Sequence, residues 1–264
     1  MANHFTPNPA AKGATRVACF AVSPILRAYL WRSGADHLLS FSPVDFGSYI
    51  HGMFVRTNFM LKQDLVSVHR SMDQQSYRMN HFAYDYGKRF AAPSLVERLQ
   101  TEILEHGHKR DGRCGTLHLV GMGIGGLLAL SFYFFLTQTF TPVFTRIVTF
   151  GSPRLGDSEL REWFRDCIKH NLLLVTNYCS VGPPRSEGAL RDPQCSFPPG
   201  EGYVDNDLVF FRNFQHVEHV AEEQPHSAPS LRAMSATVTG GMDAAKMELW
   251  LKLHTIQAYS PEFG

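Results

Sequence analysis

This sequence predicts an α/β fold built on a mostly parallel central sheet with helices on both faces, and three observations carry the prediction. From residue 94 onward, short apolar runs of strand length alternate with longer stretches at helical spacing. The stretch Thr116 to Phe135, TLHLVGMGIGGLLALSFYFF, passes from a buried-strand pattern through a glycine-rich turn into a long helix-forming run. The third is size: 264 residues, 44% hydrophobic and 19% charged, suffice to bury one substantial core.

Taken in order, residues 1–15 read as a flexible leader and residues 16–264 as one domain. Between Arg16 and Phe54, apolar patches such as VACFAV, AYLW and HLLSF are broken by Ser, Gly, Pro and Asp, the pattern of strands joined by turns. Residues 60–80 are polar and point to neither element. A helix is predicted from Ser94 to His106. Ser94 suits a cap, Glu97 follows three residues later, and Leu95, Leu99, Ile103 and Leu104 recur at helical spacing. HGHKRDGRCG turns the chain into a strand at Leu117–Val120. After the glycines come a helix to about Leu136, a loop through Pro142 and a strand at Arg146–Phe150. A helix at Asp157–His170 and a strand at Leu172–Thr176 come next. Residues 181–202, dense in Pro, Gly, Arg and Ser, read as a surface loop, Tyr203–Arg212 as a strand or hairpin arm, and 224–242 as a second polar loop. Asp243–Ala258 closes the chain as an amphipathic helix, with Met247, Trp250, Leu251 and His254 near one face. Residues 55–80 and 181–202 are candidate lids.

Composition narrows the function. A net charge of +1 with scattered Lys and Arg leaves no footprint for nucleic acid. Five cysteines (Cys19, Cys114, Cys167, Cys179, Cys195) are odd in number and lack C-x-x-C spacing, so neither a disulfide framework nor a zinc site is expected. Free thiols suit a reducing compartment. No basic start followed by an apolar block marks a signal peptide, so the expected location is cytoplasmic. Thirteen histidines invite a metal reading, but His106 and His108 sit in a solvated turn. His216 and His219 share a helical face without carboxylate partners. No metal and no cofactor is expected.

The glycine segment admits three readings. Leu119 to Leu136 is 18 residues without a charge, near the length that spans a bilayer. Four glycines in its first half and the absence of basic or aromatic anchors weigh against a membrane anchor. Gly121, Gly123 and Gly126 also fit the dinucleotide pattern G-x-G-x-x-G. That pattern wants an acidic residue about 20 positions on, and no Asp or Glu occurs between Asp111 and Asp157. The third reading is a strand, sharp turn and helix of the kind that presents a catalytic serine in G-x-S-x-G, with Gly123 at the serine position.

Three sequence blocks, beginning at the turn itself, make the third reading specific. VGMGIGGLLAL, VTFGSPRLGDSELREWF and VTNYCSVGPP resemble, in order and spacing, three signature blocks of the class 3 (fungal-type) lipase family, with Thr149–Asp157 nearly identical to its block. The resemblance covers about residues 116–212 and is weak before residue 90. It implies an α/β-hydrolase fold and a Ser-Asp-His triad that cleaves carboxylic esters.

Residue by residue, the triad does not carry over intact. The serine falls on Gly123, which has nothing to attack with, and the aspartate falls on Ser180, which carries no charge to stabilise imidazolium. The histidine falls on His254, where a core or interface role is equally served. The backbone N–H of Ile124 would supply one oxyanion-hole donor. The second normally comes from an R-G-T segment, and the nearest equivalent, Phe41-Ser42-Pro43-Val44, lacks the motif and includes a proline without an N–H. Neither Ser152, Ser180 nor Cys179 has the setting of a substitute nucleophile. The resemblance therefore implies a catalytically inactive lipase-like protein. It would bind a lipid or fatty acyl ligand, with peripheral membrane contact, or present a surface to a protein partner. The alternative is an ester hydrolase with a non-standard nucleophile.

Overall fold

A computed structural model of the chain describes residues 14–23, 26–43, 58–70, 75–108, 114–140, 144–185, 188–191, 195, 197–198, 201–206 and 208–212. Its ten strands are β1 (Thr15–Ser23), β2 (Leu26–Ser33), β3 (Asp36–Pro43), β4 (Leu65–His69), β5 (Ser76–Asn80), β6 (Leu117–Met122), β7 (Thr145–Phe150), β8 (Leu173–Arg185), β9 (Gly188–Arg191) and β10 (Leu208–Arg212). Among the described residues, besides helical residues at 58–61, the helices are α1 (His81–Phe90), α2 (Pro93–His106), α3 (Ile124–Thr139) and α4 (Ser158–Lys169). The main sheet runs β1-β2-β3-β6-β7-β8-β10, with β9 paired to β8, and β4-β5 form a separate hairpin. Pairing is antiparallel from β1 to β3 and parallel from β3 through β10. The sheet is mixed but mostly parallel where the βα alternation predicts it.

Strand pleating sorts the residues. Leu39, Leu117, Leu119, Ile147 and Leu173 point to one face and are buried. Their chain neighbours, such as Val120 and Val148, are half-exposed on the other. The buried face shares one hydrophobic core with helices α1, α2, α3 and α4. Helix α3 is buried on every side from Ile124 to Leu136, which is why its hydropathy mimics a membrane span. No described helix is long and apolar enough to cross a membrane. Aromatic rings seat α4 against it, with Phe134 and Trp163 centroids 5.0 Å apart. Helix α1 approaches at Gly87, where a Cβ would come within 2.4 Å of the Ser131 hydroxyl.

Several boundaries differ from the sequence reading. The first predicted helix starts at Pro93, not after a Ser94 cap. Ala92 is its N-cap without a side-chain bond, because proline at the first helical position needs no N–H partner. Residues 65–69 and 76–80, within the ambiguous candidate lid, are a hairpin docked on the core through Tyr77 and Met79. The 181–202 loop is in its first part the end of β8 and all of β9. Pro183 and Pro184 sit at a register irregularity, where a strand tolerates residues that cannot donate. Only Leu208–Arg212 of the predicted 203–212 arm is strand. The 1–13 stretch of the leader, the 224–242 loop, the Asp243–Ala258 helix, and His216 and His219 lie outside the described residues.

Candidate active site

The carboxyl ends of β6 and β7 lie side by side, level with Tyr178 in the middle of β8, at the edge where open parallel sheets bind ligands. One residue past β6 the backbone turns at Gly123, with φ 54° and ψ −124°, and α3 begins. Side chains rarely adopt this left-handed region, and holding one there costs about 1–3 kcal/mol. The turn is fixed from both sides. The Gly123 N–H donates to the Phe150 carbonyl at 2.8 Å, and its carbonyl accepts from the N–H groups of Gly126 and Leu127 at 3.0 and 3.2 Å. No described residue accepts from the N–H of Ile124 or Gly125. These open donors sit at the positive end of the helix macrodipole, a setting suited to a developing negative charge.

The flanking glycines have a packing role that needs no phosphate. A Cβ on Gly121 would lie 2.2 Å from the Gly125 carbonyl carbon and oxygen, and one on Gly126 would lie 3.0 Å from Thr149 and Ser152. They let α3 lie directly against β6 and β7. The G-x-G-x-x-G spacing thus results from close strand–helix approach.

Ser180 lies in β8, two residues past Tyr178, which pairs with Phe150. Two strand spacings, about 10 Å, separate β6 from β8. The structure therefore brings positions 123, 124 and 180 to one sheet edge. Phe41, in β3, pairs with Gly121, so Ser42 and Pro43 run alongside the elbow, while Val44 lies outside the described residues. His254 also lies outside them. Of the other candidate nucleophiles, Ser152 is 1% exposed and donates its hydroxyl to the Pro153 carbonyl, and Cys179 is fully buried. None of the five cysteines is in a disulfide. Among the described residues, no cluster of His, Cys, Asp or Glu could hold a metal.

The turn after β7 is the better furnished one. Gly151 (φ 58°) donates its N–H to the Tyr178 carbonyl at 2.9 Å, as Gly123 does one strand earlier. Asp157 caps α4 by accepting from the Leu160 N–H, and it also accepts from the Arg78 N–H of β5, both at 2.9 Å. Burial raises its carboxyl above the ordinary value against the pull of those two donors. Arg154 binds Asp205 through Nε and Nη2 at 2.6 Å. The Asn206 side-chain amide donates to the Pro153 carbonyl at 2.8 Å. Behind it, Tyr203 donates to the Gln63 carbonyl and accepts from the buried Asn80, and burial pushes its hydroxyl up to about 12. Asp205, Asn206 and Tyr203 carry no sequence signal of their own, because only the fold brings them to the 152–157 turn and the hairpin beside it. Thr149 and Asn177, whose side chains meet at 2.7 Å between β7 and β8, were equally unmarked.

One face at this edge is apolar. Met122, Phe150 and Tyr178 stand in register across three strands, half-exposed, and the Phe150 and Tyr178 rings stack at 5.3 Å and 13°.

A parallel sheet whose strand ends in a left-handed pivot and a buried helix is the strand–turn–helix of an α/β-hydrolase-type protein. The family model "Lipase (class 3)" matches residues 47–179, about half of the chain, and the chain belongs to the class 3 lipase family. Similar solved structures agree on the fold. Lip2 lipase from Yarrowia lipolytica superposes with a TM-score of 0.56 at 15% identity, covering 75% of this chain and 66% of that one. The native Rhizomucor miehei lipase propeptide complex gives 0.53 at 14%, covering 76% and 58%. Lipase II from Rhizopus niveus gives 0.54 at 13%, covering 75% and 66%. The chain thus spans about three fifths of the length of the Rhizomucor miehei protein. No curated protein matches it.

Proposed function

We propose that this chain is a lipase-fold pseudoenzyme that binds a lipid or fatty acyl ligand at the carboxyl edge of its sheet without cleaving it. The observation that carries the reading is Gly123. It occupies the pivot of a nucleophile-type turn with the backbone intact and no side chain. Removing a triad nucleophile lowers turnover by about a millionfold. The serine at 180 removes the charge that would hold an imidazolium. The burial of Ser152 and Cys179 argues against a substitute nucleophile. The row Met122, Phe150 and Tyr178 supports an apolar ligand over a polar one.

Native mass spectrometry of the purified full chain tests the binding half, with a co-purified acyl lipid as the expected result. A persistently empty protein that also fails to take up oleate would sink it. Rescue tests the catalytic half. Gly123→Ser alone should restore little ester turnover, and Gly123→Ser with Ser180→Asp should restore more. Full activity from the single change would mean that the acidic partner lies elsewhere.

A further inference from the structure

A cavity of about 50 Å³ lies between α4 and β8, on the helix-covered side of the sheet. Val175 and Asn177 of β8 line it. The pleat turns Tyr178 to the opposite face, so this cavity is separate from the row Met122, Phe150 and Tyr178. Its deep wall is apolar, with Leu130, Leu155, Leu160 and Phe164 each at most 8% exposed. Its rim is cationic. Arg161 and Arg165, one turn apart on α4, both line the cavity and are both partly exposed. Arg165 donates to Glu162 at 2.6 Å. The Nε of Arg161 is buried without a hydrogen-bond partner, and the Glu162 Oε1 at 3.9 Å is beyond bonding reach. Asp157 also lines the cavity, but its carboxylate already accepts from the N–H groups of Leu160 and Arg78. A buried charged donor without an acceptor is costly, and a ligand that supplies the acceptor removes that cost.

We propose that this cavity is a second ligand site, which takes a short-chain carboxylate with its tail among the leucines and its charge on Arg161. Size sets the length of the tail. A water molecule needs about 10–15 Å³ by the same measure, so the cavity holds about four heavy atoms in a row. That fits a tail of about three or four carbons and excludes a fatty acyl chain. The two arginines disfavour a cationic ligand. An alcohol of the same length would fill the wall equally, but its neutral oxygen accepts a weaker bond from a guanidinium than a carboxylate does.

Saturation-transfer NMR on the full chain tests the assignment with sodium butyrate as the probe. Affinity should rise from acetate to butyrate, fall at octanoate, and be weaker for butan-1-ol than for butyrate. Arg161→Leu should weaken butyrate about tenfold with an unchanged melting profile. The same variant should leave oleate uptake as it is, which separates this cavity from the site proposed above. No butyrate binding, butan-1-ol bound as well as butyrate, affinity climbing steadily to octanoate, or butyrate binding untouched by Arg161→Leu would each overturn the assignment. If Arg161→Leu fails to fold, the chain-length series and the alcohol comparison on the unaltered chain decide the matter.

Discussion

Two turns at the carboxyl edge of the sheet use the same backbone device and differ in everything attached to it. After β6 and again after β7, a glycine with φ near 55° donates its N–H to a carbonyl of the next strand, Phe150 in one case and Tyr178 in the other. Beyond that glycine the second turn is dense with side-chain bonds. Asp157 binds two backbone donors, Arg154 holds Asp205, and Asn206 reaches Pro153. The first turn has no side-chain cap at all, and Gly123 lacks the atom that a hydrolase would present there. The fold thus secures the shape of its turns through backbone and glycine packing.

Gly121 is where this contrast is most easily undone. Gly121→Ala drives a methyl group into the Gly125 carbonyl, a backbone neighbour that cannot yield. The expected loss is about 3 kcal/mol, read from the denaturant midpoint. A neutral result would mean that strand–helix contact does not hold the first turn. Asp157→Ala tests the second turn by leaving the buried Leu160 N–H and the part-buried Arg78 N–H without an acceptor. About 2–3 kcal/mol should be lost, and Asp157→Asn should recover part of it. Gly123→Ser comes next: the strain of a side chain at that φ should cost about 1–2 kcal/mol while the protein still folds. Stability unchanged by that substitution would show the pivot to be unstrained.

The smallest effect is expected at the opposite edge of the sheet. His37, 2% exposed at the start of β3, has a buried Nε2 with no partner. Burial lowers its pKa below 6.5, more than the nearby Glu102 raises it, while Arg32 and His106 also lower it. The unfolded chain therefore takes up the proton first, so stability holds above pH 6.5 and falls as pH drops toward the depressed folded value. His37→Gln should flatten that part of the stability curve, with melting measured from about pH 7.5 to about pH 5. A slope unchanged by the substitution would move the acid response to other groups.

The parallel half of the fold was legible in the sequence because its signals are local. β6, β7, α3 and α4 each carry an apolar period bounded by Gly, Pro or Asp, and the expected boundaries fall within a few residues of those found. Helix α1 was missed although Asn80 caps it and Phe82, Tyr86 and Phe90 recur at helical spacing. Its neighbours in sequence are polar, and the apolar stripe is short. The β8 extension was hidden by its prolines, which read as loop punctuation until the irregular pairing is seen. Of the proposed site, positions 123, 124 and 180 are reachable from the sequence through the resemblance of its three blocks to the class 3 lipase signatures. The partners of Arg154 and Asp157 are not, because Asp205 and Arg78 are distant in sequence and carry no mark of their own.

Steady-state turnover of p-nitrophenyl butyrate by the purified full chain near neutral pH puts the side-chain-free pivot to its plainest trial. The expected rate is indistinguishable from the uncatalysed reaction, with His254→Ala making no difference. Turnover well above that background and lost in His254→Ala would mean that a working nucleophile exists and that Gly123 is not the end of the chemistry.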